Sequence, residues 1–200
     1  MNWTISIEDL LSKFRQDDAI DTPAARFSTR APSVAPEGYL NVVFKPLPSA
    51  AVATMAKELD CPVPVEEFLL QYNGLRLFLD ELCVYGLTDD DEPVDRTSLL
   101  GLRPVSLRRA VLESEHNTGW TGDLFPVGWY GADGSTVFIR RADDTIHCFY
   151  GRNLRKLRRQ WKDFPTWLGT EIDRISALYS ADGIRTCADE FTLPVDSVEH

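Results

Sequence analysis

The stretch DLFPVGWYGADGSTVFIRRADDTIHCFYG, residues 123–151, decides the fold class of this chain. It contains two turn signals, Asp133-Gly134 and Asp143-Asp144, and runs rich in β-branched and aromatic residues flank both of them. Short polar turns between such runs are typical of β-hairpins. The stretch therefore predicts a meander of about three antiparallel strands.

Two consecutive helices are predicted before this meander. Residues 49–59, SAAVATMAKEL, combine strong helix formers with one apolar face. A second helix is expected to start at Pro64, because proline lacks an N–H group that the first turn of a helix does not need. The apolar residues of the second helix recur with the helical period. They are Val65, Phe68, Leu69 and Tyr72.

The Asn73-Gly74 pair that follows has two interpretations. It can form the turn of a β-hairpin, or it can end the helix with a left-handed glycine just past the last turn. Because the preceding residues follow the helical period and not strand alternation, we expect Gly74 to be the C′ residue of the helix. Strands are then predicted at 75–78 and 81–87.

The remaining elements complete an α+β pattern. Helices and antiparallel strands in this order indicate an antiparallel β-sheet with helices packed around it, and not a parallel βαβ fold. The other predicted elements are a helix at 3–16, an irregular segment at 17–38, a strand at 39–47, a helix around 105–115, and a helix within 162–183 that ends at Gly183.

The chain divides into three parts by composition. Residues 1–44 hold the N-terminal helix and a Pro-containing irregular segment, and residues 45–183 form the main domain. Residues 184–200 form an acidic C-terminal tail, which we expect to be loosely attached.

Composition and charge restrict the classes of protein to which the chain can belong. Of its 200 residues, 44% are apolar and 26% are charged, which is ordinary for a globular protein. The formal net charge of −10 disfavours nucleic acid as a partner, because phosphates repel such a field, and it suits a basic protein partner. Without a membrane-length apolar stretch or a basic secretory n-region, we expect a cytoplasmic protein with no membrane partner.

The cysteines and histidines predict no metal site and no cofactor. The four cysteines are far apart and form no C-x-x-C motif, so we expect small buried residues in a reducing compartment. They are Cys61, Cys83, Cys148 and Cys187. His147 lies in an apolar stretch, TIHCFY, and is expected to be partly buried and bonded to a neighbour.

A search for catalytic motifs leaves one weak candidate. The chain has no Gly-rich phosphate loop, no G-x-S-x-G elbow and no H-E-x-x-H motif. The segment ESEHNTG (113–119) offers Glu113, Glu115 and His116 for acid–base chemistry. Adjacent helical side chains diverge by about 100°. A solvated helix end is therefore the favoured interpretation of this segment, and the sequence predicts no catalytic residues.

Two charged segments are candidate binding surfaces. In the acidic segment 88–95, TDDDEPVD, the residues expected to bind a protein partner are Asp89, Asp90, Asp91 and Glu92. This segment lacks the glycine and the terminal glutamate of an EF-hand loop, so a solvated or docking loop is favoured over a cation site. The basic segment 152–162, RNLRKLRRQWK, is either a nucleic-acid or anion patch, or a solvated face that balances the acidic residues. The net charge favours the second interpretation.

Three pieces of the sequence together resemble one family. They are KPLPSAAVATMAKELDCPVPVEEFLLQYNG (45–74), the meander stretch 123–151, and DFPTWLGTEIDRISALY (163–179). In this order they look like an SMI1/KNR4-type domain of the SUKH superfamily, over roughly residues 45–180. The resemblance implies an α+β domain that binds proteins and is not an enzyme. Bacterial members are often immunity proteins that neutralise a toxin, frequently a nuclease, whereas fungal members regulate cell-wall synthesis and signalling.

The resemblance and the charge predict a function. We expect a non-enzymatic immunity protein that covers a basic toxin domain through an acidic surface. The alternative is a regulatory or scaffold protein in cell-wall synthesis or signalling. A third hypothesis is a hydrolase that uses His116 with Glu113 or Glu115.

Overall fold

The computed structural model describes residues 3–14, 19–30, 38–88, 102–186 and 193–194. Within these ranges the chain forms five helices and nine strands. The helices are α1 Trp3–Lys13, α2 Ser49–Leu59, α3 Val63–Leu69, α4 Leu107–Ser114 and α5 Phe164–Ser176. The strands are β1 Ile20–Asp21, β2 Ala25–Arg30, β3 Tyr39–Phe44, β4 Leu75–Leu77, β5 Leu82–Val84, β6 Leu124–Trp129, β7 Thr136–Arg140, β8 Ile146–Tyr150 and β9 Asn153–Trp161.

All the described strands belong to one antiparallel sheet, in which they lie side by side in sequence order. The sheet is open, with β1 and β9 at its edges. The prediction of an α+β fold, an antiparallel sheet with helices, is confirmed at this level. Membership of the SMI1/KNR4 fold stays a prediction.

The predicted meander is confirmed as β6, β7 and β8. Its two turns contain Gly134 and Asp144, both with positive φ, at +71° and +57°. Val137 and Ile139 of β7 face the main core, whereas Phe138 between them packs into a smaller cluster on the opposite face. The alternating side chains of β7 are therefore buried on both faces of the sheet.

The main core joins the sheet to helices from both ends of the chain. Helix α1 contributes Ile7 and Leu10, helix α3 contributes Phe68, and helix α5 contributes Trp167 and Ile172. All five are at most 2% exposed. The N-terminal helix thus shares one core with the C-terminal helix.

The predicted irregular segment 17–38 is wrong at Ile20–Asp21 and Ala25–Arg30, which form β1 and β2. Strand β2 pairs with β3 from Ala25 to Arg30 and buries the Phe27 ring against Tyr39, with the ring centres 5.2 Å apart. The pairing partner, β3, begins only at Tyr39, outside the segment whose prolines and small residues suggested an irregular structure. Local composition therefore could not indicate a strand.

Two predicted helix ends are also wrong. Helix α3 ends at Leu69, and one further turn closes with the Tyr72 N–H on the Phe68 carbonyl at 2.8 Å, so Gly74 is not the C′ residue. Helix α5 ends at Ser176, well before Gly183. Both glycines have positive φ, but Gly74 directly precedes β4, and Gly183 closes a later turn by donating its N–H to the Ser180 carbonyl at 3.0 Å.

The basic segment 152–162 forms β9, a strand that the sequence pattern did not predict. Register shifts on either side of Phe149 place that residue opposite Leu157 and place Tyr150 opposite Asn153. Such bulges interrupt the alternation of inward and outward side chains. The buried positions of β9 are consequently spaced irregularly, at Leu154, Arg158 and Trp161.

Candidate protein-binding site

The two chain segments that flank the acidic residues are joined by backbone hydrogen bonds. The Gly86 N–H donates to the Val105 carbonyl at 2.9 Å, and the Leu107 N–H donates to the Gly86 carbonyl at 2.8 Å. Gly86 and Ser106 form a parallel bridge between the segments. The residues on both sides of the acidic segment are therefore held together.

Asn73 fixes one of these flanking segments to the sheet. Its Nδ2 donates to the Leu87 carbonyl at 2.9 Å, and its Oδ1 accepts from the Leu87 N–H at 2.7 Å. The backbone N–H of Asn73 donates to Phe44 at the end of β3. Because Asn73 is only 7% exposed, these bonds form away from water, where a lost partner is costly.

The predicted partner-binding residues Asp89, Asp90, Asp91 and Glu92 lie outside the described residues. Asp89 follows Thr88 directly in the sequence, and Thr88 lines a cleft of the structure. On the C-terminal side of the acidic segment, the described residues begin again at Leu102, and the next residue, Arg103, lines the same cleft.

This cleft has a volume of about 760 Å³ and lies beside the flanking segments. Tyr85 follows β5, Glu113 comes from α4, Trp129 ends β6, and Arg152 precedes β9. Binding pockets for drug-sized ligands have volumes of roughly 300–1,000 Å³. The cleft therefore has room for a large side chain or a short loop of a partner.

Helix α4 sets the charge on one wall of the cleft. Ser106 caps the helix by accepting from the Arg109 N–H at 3.1 Å. The Arg109 Nε then donates to Glu113 Oε1 at 2.7 Å, and an Nη2 of Arg152 lies 3.6 Å from Glu113 Oε2. With Arg103, the wall carries three arginines and one glutamate, so it is positively charged.

Trp129 and Tyr85 supply the aromatic part of the lining. The Trp129 Nε1 is shielded from solvent and has no hydrogen-bond partner among the described residues. Burial is also the main cause that raises the pKa of the Tyr85 hydroxyl. Leu112, which is 57% exposed, adds an apolar side chain on the same cleft. Trp, Tyr and Arg are the residues most enriched at protein-interface hot spots.

The sequence alone did not select these residues. Trp129 was one of several tryptophans in the C-terminal half, any of which could anchor an interface. Its position as the last residue of β6 is the only local signal. The other lining residues come from segments that only the sheet brings together.

The structure does not bring together the candidate catalytic residues. His116 is exposed in the turn after α4, and its Nδ1 lies 3.2 Å from the Leu112 carbonyl oxygen. Glu113 is engaged by Arg109 and Arg152. The backbone N–H of His116 donates to the Glu113 carbonyl at 3.1 Å, but among the described residues no side-chain hydrogen bond links His116 to Glu113 or Glu115.

The predictions for His147, Cys83 and Cys148 are confirmed. His147 is 8% exposed, its Nε2 lies 2.8 Å from the Thr145 hydroxyl, and burial is the main cause that lowers its pKa. Cys83 and Cys148 are buried, and neither forms a disulfide with a described residue. Cys61 is half-buried, and burial raises its pKa to about 12. In the ranges that the structure describes, no group of three or more His, Cys, Asp or Glu side chains is arranged to hold a metal ion.

The negative charge of the chain is unevenly distributed. The described residues contain 19 Asp and Glu against 19 Lys and Arg, whereas the whole sequence contains 31 against 21. The difference leaves 12 acidic and 2 basic residues for the other segments, and these account for the entire net charge of −10. The described residues are therefore neutral overall.

Comparisons with known proteins add no family. No protein-family model matches the chain, and no curated protein matches it. None of the helices that the structure describes is both long enough and apolar enough to cross a lipid bilayer.

Proposed function

We propose that this chain is a non-enzymatic protein-binding domain of the SMI1/KNR4 type that acts as an immunity protein against a toxin with a basic domain, such as a nuclease. The observation that carries the proposal is the combination of the aromatic cleft and the acidic run that follows it in sequence. Asp89 to Glu92 continue directly from Thr88, which lines the cleft beside Tyr85 and Trp129.

The two parts have different roles in binding. The acidic residues of the run 89–92 attract a basic partner over a distance and raise the association rate. The cleft accepts one anchoring side chain or loop of the partner, with Trp129 and Leu112 as the apolar contacts. The arginines of the wall then pair with carboxylates or carbonyl groups near that anchor.

The experiment begins with the genes on either side of the gene for this chain. Each is expressed in a bacterial host with and without this chain, and growth is followed. A product that arrests growth, and whose arrest this chain relieves, supports the immunity function. If no neighbouring product is toxic, or if the chain gives no protection, the immunity function is wrong and the scaffold function takes its place.

Two variants test the site against the toxin so identified. We expect Trp129→Ala to weaken toxin binding by about thirtyfold or more, the cost of about 2 kcal/mol typical of a hot-spot residue. Neutralising the acidic run with Asp89→Asn, Asp90→Asn, Asp91→Asn and Glu92→Gln should mainly slow association.

The matched control neutralises four exposed acids elsewhere that make no ion pair with described residues: Asp9→Asn, Glu67→Gln, Asp144→Asn and Asp173→Asn. If this control slows association as strongly as the substitutions at 89–92, then net charge and not the proposed surface controls binding.

A further inference from the structure

We infer that the open edge of β9 is a docking surface for an extended acidic polypeptide segment, which would pair with β9 as a tenth strand. This surface consists of the backbone of residues 155–161 with the side chains of Arg155, Lys156, Leu157 and Arg159. The inference does not rest on the proposed function, since it concerns the basic residues 155–161 and neither the cleft nor the acidic run 89–92.

The backbone of β9 has one edge with which no described strand pairs. Strand β9 pairs with β8 on one side and is last in the sheet order. Besides the bonds to β8, the Arg155 N–H donates to the Asn153 Oδ1 at 3.1 Å, and the only backbone–backbone bond to another described segment is from the Leu154 N–H to the Thr118 carbonyl, at 3.0 Å. The seven residues that follow extend for roughly 20 Å, which suits a peptide strand. Exposed edges of this kind are templates for strand addition.

Three side chains along this edge are cationic and form no ion pair with a described residue. Within the described part of the chain, the ion pairs of this basic segment involve only its other arginines: Arg152 with Glu113, and Arg158 with Asp133 at 2.6 Å. Arg155, Lys156 and Arg159 form none. Opposite charges on neighbouring strands stabilise pairing, and like charges destabilise it. The edge is thus complementary to a strand that carries glutamate or aspartate.

The same charges argue against a second copy of this chain as the partner. In an antiparallel pair of β9 strands, cations would lie opposite cations, which is unfavourable. In an acidic segment, by contrast, carboxylates would lie opposite the cations Arg155, Lys156 and Arg159, which is favourable. Leu157, 44% exposed in the middle of the strand, gives such a segment one apolar contact.

Nucleic acid fits this surface less well than a polypeptide does. Binding of single strands uses aromatic rings on which bases stack. Trp161 is only 6% exposed, and Lys156 Nζ and Arg158 Cζ each lie 4.1 Å from the centre of the Tyr150 ring. The rings near β9 are therefore covered, while no described strand pairs with its outer backbone edge.

The test uses the full chain and two synthetic fluorescent nonapeptides. The first alternates glutamate with valine and threonine, and the second is identical except for a central proline, which keeps the charge but prevents continuous strand pairing. We expect the first to bind, and the proline peptide to bind about tenfold or more weakly. Amide chemical-shift changes should be concentrated at residues 155–161.

Two charge-reversal variants locate the binding surface. Arg155→Glu should weaken binding of the alternating peptide by about tenfold. Lys57→Glu, which makes the same charge change on the exposed face of α2, should change it by less than about twofold. Circular dichroism and thermal unfolding establish that both variants fold as the parent does.

Several outcomes would overturn the inference. No binding of the alternating peptide up to about 1 mM would indicate that the charges only protect the edge from pairing. Equal binding of both peptides would indicate general charge attraction without an added strand. Tighter binding of a single-stranded oligonucleotide of equal charge would identify a nucleic-acid surface instead.

Discussion

The side-chain amide of Asn73 pairs with the backbone of Leu87 in the way that a neighbouring strand would. Its Nδ2 lies 2.9 Å from the Leu87 carbonyl oxygen, and its Oδ1 accepts from the Leu87 N–H at 2.7 Å. One side chain thereby holds the segment from which the acidic residues begin. Both partners are buried, so the bonds have no water to replace them.

Removing this amide should destabilise the fold substantially. We expect Asn73→Ala to lower the free energy of unfolding by about 2–4 kcal/mol, because two buried backbone groups of Leu87 lose their partner. Urea denaturation followed by tryptophan fluorescence measures the change. The control is Asn117→Ala, since the Asn117 side chain makes no hydrogen bond among the described residues, and we expect a change within about 0.5 kcal/mol. Equal losses for both variants would contradict this role of Asn73.

Gly74 is constrained both by its backbone and by its neighbours. Its φ is +94°, and an added Cβ would lie 2.9 Å from the Pro104 Cβ and 3.0 Å from the Val84 carbonyl oxygen. Gly134 also has a positive φ, +71°, but a Cβ added there would have no neighbouring atom within 4 Å. The pair therefore separates backbone strain from steric contact.

We expect Gly74→Ala to lower the free energy of unfolding by about 2–5 kcal/mol, from left-handed strain and overpacking together. Gly134→Ala should cost about 1–2 kcal/mol, from strain alone. Both are measured by urea denaturation at neutral pH. A Gly134→Ala loss as large as that of Gly74→Ala would mean that the contact with Pro104 contributes nothing.

The sequence predicted the parts of the fold whose contacts join residues close together in the chain. The hairpins around Gly134 and Asp144 join strands only a few residues apart, so alternation and turn residues suffice to predict them. Strand β2 depends on β3 as its partner, and β9 is interrupted by bulges opposite Phe149. In both cases the strand depends on pairing with another strand, and the residues within the strand itself do not indicate that pairing.

The candidate site was less predictable than the fold for a related reason. Tyr85, Glu113, Trp129 and Arg152 lie far apart in sequence and line one cleft only because the sheet places their segments together. Charge patterning pointed instead to the acidic run 89–92, and the structure describes only the residues that flank this run. The sequence therefore did not predict the cleft, and the role of the acidic run stays a prediction.

The N-terminal helix should be essential to the stability of the whole molecule. The Phe14 ring is fully buried and packs edge-on against Phe78, which in turn stacks on Tyr179. We expect Phe14→Ala to lower the free energy of unfolding by about 3–5 kcal/mol, through lost burial and the cavity left behind. Leu112→Ala, at a 57% exposed position, should cost less than about 0.5 kcal/mol.

Thermal unfolding of Phe14→Ala by calorimetry provides the decisive comparison. Because α1 shares the core of the sheet and α5, the variant should still unfold in a single transition at a lower temperature. An early, separate transition with the main one unchanged would mean that the N-terminal part unfolds independently.

Glu8 of α1 links three elements through one carboxylate. Arg26 of β2 donates to both of its oxygens, at 3.0 and 2.8 Å, and the Tyr72 hydroxyl donates to Oε1 at 2.9 Å. The hydrogen bond from Arg26 is the main cause that lowers the pKa of Glu8, with the Tyr72 bond adding to it against an opposing effect of burial. The ionised form is therefore favoured more in the folded state than in the unfolded state.

This shift predicts the pH dependence of the stabilisation. Because the folded-state pKa lies below the ordinary value of 4.5, the contribution of Glu8 is complete above that value and is lost as the pH falls through the folded-state pKa. A double-mutant cycle of Glu8→Gln and Arg26→Met should give a coupling energy of about 0.5–1 kcal/mol at neutral pH, since the Glu8 side chain is 50% exposed. At about pH 3 the coupling should be clearly smaller. The control is the same cycle with Asp9→Asn in place of Glu8→Gln, which should give no significant coupling energy at neutral pH because Asp9 forms no ion pair with a described residue. For Glu8, an equal coupling energy at both pH values would contradict a contribution from the ionised carboxylate.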